Sequence, residues 1–186
     1  ALTIVVLFLI PLSLAESITS FHSDIQINPN STLFITETIA YDFGSELKHG
    51  IYRDIPETFD NNTKIISITD ENSKPYQFQT TDGYQYKSVR IGSPDITISG
   101  EKTYIINYEV KNEISFFNEF DELYWNVTGT AWEVPIATAS ATVTFPFDLS
   151  EEEIMATCYT GFYGESESNC SYSFEISKNQ TQISFQ

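Results

Sequence analysis

Basic side chains are scarce in this sequence. Nine lysines and arginines face 26 aspartates and glutamates, a formal net charge of −17 across 186 residues. Such a chain repels a phosphate backbone, which excludes nucleic acid as a partner, and it repels anionic lipid headgroups as well. Histidine is as rare, with only His22 and His49. A Ser–His–acid triad would need one of them as its base, yet His22 falls on the polar face of its strand. His49 precedes Gly50 without a nucleophile-elbow pattern. Two separated histidines do not make a zinc site, no calcium-loop spacing is present, and there is no Gly-rich phosphate loop. Nothing in the chain calls for a metal or a cofactor.

Cysteine is limited to Cys158 and Cys170 in "CYTGFYGESESNC". In an exported chain an even, close pair is expected to form a disulfide, and two thiolates alone supply half a tetrahedral zinc shell. Long apolar runs are absent too, except at the start. "ALTIVVLFLIPLSLAES" is apolar from Ala1 to about Leu14 and is followed by the small-x-small triplet Ser13–Ala15. That is the core and cleavage site of a secretory signal, and it falls short of the roughly 20 residues a membrane helix needs. Residues 1–15 are therefore read as a signal peptide and 16–186 as one extracytoplasmic domain, large enough to bury a good core. The chain opens on Ala1 and stops within a strand-like pattern, so a longer parent protein is expected.

What the sequence does have is period-two alternation. In "STLFITETIAYDF" one row reads Leu33, Ile35, Glu37, Ile39, Tyr41, Phe43 and the other is largely threonine. One-sided burial of a strand writes this pattern. "SFHSDIQI" puts Phe21, Ile25 and Ile27 on one face, and "NPN" turns the chain between the two. Further strands are expected over 64–69, 75–80, 84–91, 102–110, 122–127, 139–145, 172–176 and 181–185, separated by "DENSKP", "TDGY", "GSPD" and "SGEK". "SEEEIMA" (150–156) offers one helical turn, with Ser150 as N-cap and Glu153 three residues on. The fold class is all-β: an antiparallel β-sandwich, immunoglobulin-like or related, with at most one short helix.

Glu37 stands out because the pleat aims it inward. A buried carboxylate must neutralise or find a cation. Both arginines, Arg53 in "YRDIP" and Arg90 in "SVRIG", lie in strand-like text, and a planar guanidinium suits a carboxylate better than an ammonium does. Glu37 is therefore expected to pair with Arg53 or Arg90, Arg53 being preferred; at a sheet edge it would instead reach solvent. In "KHGIYRDIP" this leaves His49 and Gly50 as the candidate binding tip.

"FNEFDELYWNVTGTAWEVPI" is the richest stretch, with Glu119, Asp121, Glu122 and Glu133 among Tyr124, Trp125 and Trp132. These residues can be read as a glycosidase-like carboxylate pair beside stacking aromatics. They can also be a binding platform built on Asp121, Glu122, Tyr124, Trp125 and Trp132 or a Ca²⁺ site of carboxylate oxygens, but the preferred reading is core aromatics flanked by a loop of acids. Asn-x-Ser/Thr sequons occur at Asn30, Asn61, Asn126, Asn169 and Asn179.

Taken in order, "STLFITETIAYDF", "HGIYRDIP", "YQYKSVRIGSPD", "SGEKTYIINYEV", "DELYWNVTGTAWEVPI" and the two-cysteine loop resemble the N-terminal extracytoplasmic domain of predicted bacterial and archaeal membrane proteins, domain of unknown function 2207. The resemblance runs from about Ile18 onward. Positions typical of that family that match here are Glu37, His49, Gly50, Arg53, Arg90, Gly92, Asp121, Glu122, Trp125, Asn126, Gly129 and Trp132. It implies membrane helices downstream as the domain's own partners, and no established activity. The expected function is a non-enzymatic recognition or sensor-like module on the outer face of a membrane, with a protein or glycan ligand. A hydrolase of envelope glycans and a purely structural spacer are the alternatives.

Overall fold

Strand makes up about half of the described chain. The structure, a computed structural model, describes residues 15–57, 63–161, 164, 167–177 and 180–186. The signal peptide read at 1–15 thus lies outside it, apart from Ala15, as do the sequons at Asn61 and Asn179. The strands are β1 (Ser17–Ile27), β2 (Leu33–Asp42), β3 (Ile51–Pro56), β4 (Thr63–Thr69), β5 (Phe78–Gly83), β6 (Tyr86–Ile91), β7 (Glu101–Val110), β8 (Ile114–Phe116), β9 (Asp121–Leu123), β10 (Ala139–Phe145), β11 (Tyr172–Ser177) and β12 (Gln180–Phe185).

A seven-stranded sheet runs in the order β11-β12-β10-β1-β2-β7-β4, beside a three-stranded sheet β3-β6-β5 and a two-stranded ribbon β8-β9. The fold is all-β, and among the described strands every strand-to-strand pairing but one is antiparallel. The exception joins β1 to β10 side by side in parallel, from Phe21 opposite Ala139 to Gln26 opposite Thr144. The small sheet lies against one face of the large one. Ile51 and Ile55 of β3 and Val89 and Ile91 of β6 are buried in the same core as Phe21, Ile35, Ile39, Tyr104 and Ile106. Strict alternation along β2 builds this core, since alternate residues from Leu33 to Tyr41 are all buried.

Three sequence expectations shift. The "TDGY" turn moves two residues on, because Gly83 still pairs with Tyr86 and the reversal falls at Tyr84–Gln85, with Gln85 at φ 59°. The Tyr86 ring packs over Gly83, where a Cβ would lie 2.2 Å from it unless the exposed ring moved aside. The strand expected over 122–127 ends at Leu123, because the chain beyond it folds back over Arg53. "SEEEIMA" forms only a 3-10 turn at Glu151–Glu153. The Ser150 N–H and hydroxyl both donate to the Glu153 carboxylate, at 2.9 and 2.8 Å.

Candidate functional site

Arg53 and Glu37 meet where the two sheets face each other. Period two on β2 places Glu37 between Ile35 and Ile39, and period two on β3 places Arg53 between Ile51 and Ile55. Glu37 is 0% exposed and Arg53 1%. The Arg53 Nε–H donates to Glu37 Oε2 at 2.8 Å and Nη2 to Oε1 at 2.7 Å, a bidentate fork. The Tyr108 hydroxyl, arriving from β7, donates to Oε1 at 2.6 Å. Burial disfavours the guanidinium charge, yet the carboxylate more than offsets it and holds Arg53 above its usual range. Burial, then the Glu37 charge, push the Tyr108 phenol well above its ordinary value.

The second half of the guanidinium is held by the tryptophan-rich stretch. Arg53 Nη1 donates to the carbonyls of Asp54 and Thr128, both at 2.9 Å. The Thr128 carbonyl also accepts the Trp132 indole N–H at 2.8 Å. The rings of Phe21 and Trp132 flank the guanidinium carbon at 5.4 and 5.8 Å, close enough for cation–π attraction. Gly129, at φ +75°, passes so near that a Cβ would lie 2.5 Å from Nη1. Asn126 fixes this turn by accepting the Gly129 N–H through Oδ1 at 3.0 Å. Both carboxylate oxygens of Glu37 and four N–H groups of Arg53 are engaged inside the fold. Neither is presented to solvent, so the cluster has no face on which to take a substrate.

Trp132 and Gly129 thus belong to the cluster, whereas the remaining residues singled out from the sequence do not join it. Arg90 points to the outer face of the small sheet and donates to Gln79 Oε1 at 3.0 Å. Trp125 and Trp132 are half-buried against the core, and the Trp125 indole N–H is buried without a hydrogen-bond partner. Tyr124 is 76% exposed. Asp121 and Glu122 are exposed neighbours on β9, so the pleat sends their side chains to opposite faces of the ribbon. His49 is exposed, and its Nδ1 lies 3.2 and 3.0 Å from the carbonyls of Ser93 and Ile96. Two acceptors there require the proton on Nδ1, so His49 pins the turn that leads out of β6. Gly50 and Gly92, both at φ +134°, pack back to back; a Cβ on Gly50 would stand 1.8 Å from the Ile91 carbonyl oxygen. His22 meets the Ser140 hydroxyl at 2.7 Å and Asp24 at 3.2 Å.

Cys158 and Cys170 are joined, with an S–S distance of 2.08 Å. Among the described residues no group of three or more His, Cys, Asp or Glu is placed to hold a metal ion. Tyr108 was not singled out by the sequence, although its place on the buried row of "KTYIINYEV" opposite Glu37's strand was the available signal.

An inward Glu37, a fork from Arg53 and a Thr128–Trp132 turn closing over it make one arrangement spread across three separate sequence blocks. Residues 17–184 match the family described as the "Predicted membrane protein (DUF2207) N-terminal domain". The chain belongs to this family. Within it, the DUF2207 domain is 30% identical over 135 residues to "Uncharacterized protein YciQ" of Escherichia coli (strain K12), an overlap covering 67% of this chain and 21% of that protein. The chain thus spans about a fifth of that relative.

Among solved structures, the domain is similar to a Deinococcus radiodurans M1 zinc metallopeptidase, with a TM-score of 0.51 and 11% identity, over 91% of this chain and 38% of that one. It is also similar to native leukotriene A4 hydrolase from Saccharomyces cerevisiae, with a TM-score of 0.52 and 7% identity, over 91% of this chain and 28% of that one. At these identities the likeness is one of fold alone. Among the described residues of the DUF2207 domain, no helix is long and apolar enough to cross a membrane.

Proposed function

We propose that the domain is a non-catalytic recognition module, carried on the outer face of a membrane by the rest of its parent protein. The observation that carries this reading is the complete internal use of the Glu37–Arg53 pair. This buried charged cluster is spent on joining two sheets. Of the acids in that stretch, the exposed neighbours Asp121 and Glu122 diverge across a strand, which does not suit those two as a hydrolase's carboxylate pair. Membership of a membrane-protein family supports the anchored setting, and the Cys158–Cys170 bond suits an oxidising compartment.

Two measurements test the reading. The purified domain is applied to immobilised envelope glycans and basic peptides, where specific retention is expected and none above background overturns recognition. In the full-length protein, a Thr80→Cys variant, on the exposed strand β5, is expected to react with a membrane-impermeant maleimide in intact cells. Reaction only after permeabilisation overturns the orientation.

A further inference from the structure

The end of the sandwich opposite the Glu46–Gly50 segment carries a cleft between two tight turns. One wall is the β1–β2 turn with Asn30, Ser31 and Thr32; the other is Lys111 and Asn112 after β7, with Ile114 and Phe116 of β8 as its floor and side. Its volume is about 350 Å³, within the range of small-ligand sites. It continues over Thr32 and Lys111 into an adjoining hollow bounded by Asn28, Pro29 and Glu109.

The β1–β2 wall is pinned by hydrogen bonds. Asn28 N–H donates to the Thr32 carbonyl and Ser31 N–H to the Asn28 carbonyl, each at 2.9 Å. The Asn28 amide adds a 3.0 Å bond to the Thr32 carbonyl, and Thr32 N–H donates to Asn30 Oδ1 at 3.2 Å. Ser31 and Asn112 both hold positive φ, 62° each, a conformation uncommon outside glycine. Two of the few left-handed non-glycine residues therefore line one cleft.

Its lining combines an exposed aromatic ring with several polar side chains. The Phe116 ring is 67% exposed and shares a ribbon face with Ile114, since alternate strand residues point the same way. Such a ring offers an apolar plane for the C–H face of a pyranose. Around it stand the Asn30 and Asn112 amides, the Ser31 hydroxyl and the Lys111 ammonium. Among the described residues the Asn112 side chain and Lys111 Nζ make no hydrogen bond, so their donors are free for ligand hydroxyls. Asp121 pairs directly opposite Phe116 and therefore lies on the same face of the ribbon. Lys111 is flanked by Glu109 in the adjoining hollow, and the chain as a whole carries −17. Long-range repulsion weighs against an anion here and does not touch an uncharged polyol.

We infer that this cleft binds a neutral saccharide, with Phe116 stacking on the sugar ring and Asn30, Lys111 and Asn112 reading its hydroxyls. The inference rests on the recognition reading and gives it a site and a ligand class. The test titrates the protein with cellotetraose, maltotetraose and chitotetraose, with trigalacturonate as the charged comparison, by calorimetry and amide chemical-shift mapping. At least one neutral tetrasaccharide is expected to bind, with shifts at Asn30, Lys111, Asn112 and Phe116 and little dependence on salt. Phe116→Ala is expected to weaken it about tenfold. Asn112→Gly, which keeps the left-handed backbone and removes the amide, is expected to weaken it several-fold.

Phe117→Ala, on the neighbouring turn, is the control and is expected to bind as the parent does. All three positions are exposed, and circular dichroism confirms folding. Saccharide binding that is indifferent to Phe116→Ala and Asn112→Gly overturns the cleft and leaves recognition standing, as does retention of basic peptides with no saccharide bound. A preference for trigalacturonate overturns the neutral-ligand claim.

Discussion

Arg53 grips Glu37 through two parallel N–H···O bonds of 2.8 and 2.7 Å across the interior of the sandwich. The pair joins an interior strand of the seven-stranded sheet, β2, to the edge strand β3 of the three-stranded one. Taking two charges out of water costs several kcal/mol for each ion, and only good geometry with further hydrogen bonds offsets that. Tyr108, the Asp54 and Thr128 carbonyls and the rings of Phe21 and Trp132 supply those extra contacts.

The turn over the guanidinium gives a first prediction. Gly129→Ala forces a Cβ to within 2.5 Å of Arg53 Nη1 at a positive φ, whereas Gly100→Ala has a similar φ, +66°, and open space. Gly100→Ala is expected to lose about 1–2 kcal/mol through the left-handed backbone alone. Gly129→Ala is expected to lose about 1–3 kcal/mol beyond that by overpacking. Urea unfolding of the two variants measures the difference.

Gly50 and Gly92 are more severe. Cβ atoms there would stand 1.8 Å from the Ile91 carbonyl oxygen and 1.9 Å from the His49 carbonyl oxygen. Gly50→Ala is expected to yield little folded protein, while His49→Ala folds and loses only about 0.5–1.5 kcal/mol for its hydrogen bond to the Ser93–Ile96 turn. Soluble yield and thermal melting separate the two.

Alkaline pH should unfold the domain through its buried and half-buried tyrosines. Tyr41, Tyr76, Tyr104 and Tyr108 are all raised, burial being the first cause in each. Above about pH 10 the unfolded chain releases phenol protons that the folded chain keeps. The stability these phenols contribute is thus complete below that value and falls as pH rises beyond it. Denaturant midpoints are expected to be flat in this respect near neutrality and to drop above about pH 10, with tyrosinate absorbance appearing together with unfolding.

Reducing the Cys158–Cys170 bond frees a loop with a sequence separation of 12. The Cys158→Ser, Cys170→Ser double variant is expected to be less stable by about 3 kcal/mol, as measured by its urea midpoint, with the main core still folded.

Much of this was legible because a one-sided strand leaves a period of two. Glu37 was visible as an inward acid on an apolar row, and Arg53 as the cation embedded in neighbouring strand text. What the alternation does not encode is which strands become neighbours. The parallel pairing of β1 with β10 depends on segments more than a hundred residues apart, and no local signal reports it. The stretch after Leu123 reads as strand, since Tyr124, Trp125 and Val127 are β-formers, yet Gly129 and the demand of Arg53 for carbonyl acceptors turn it into a loop. The cleft at Lys111, Asn112 and Phe116 was invisible for the same reason: its walls come from two turns that only the folded sheet brings together.

The central claim is that the charge pair is scaffold, and a double-mutant cycle tests it most directly. Arg53→Met and Glu37→Leu are each expected to lose about 3–5 kcal/mol in urea unfolding, because each strands a buried charge. The double variant is expected to be about 2–3 kcal/mol less destabilised than the sum of the two, with saccharide and peptide retention unchanged wherever it folds. Additive losses, or a folded double variant that has lost all ligand binding, would contradict the account.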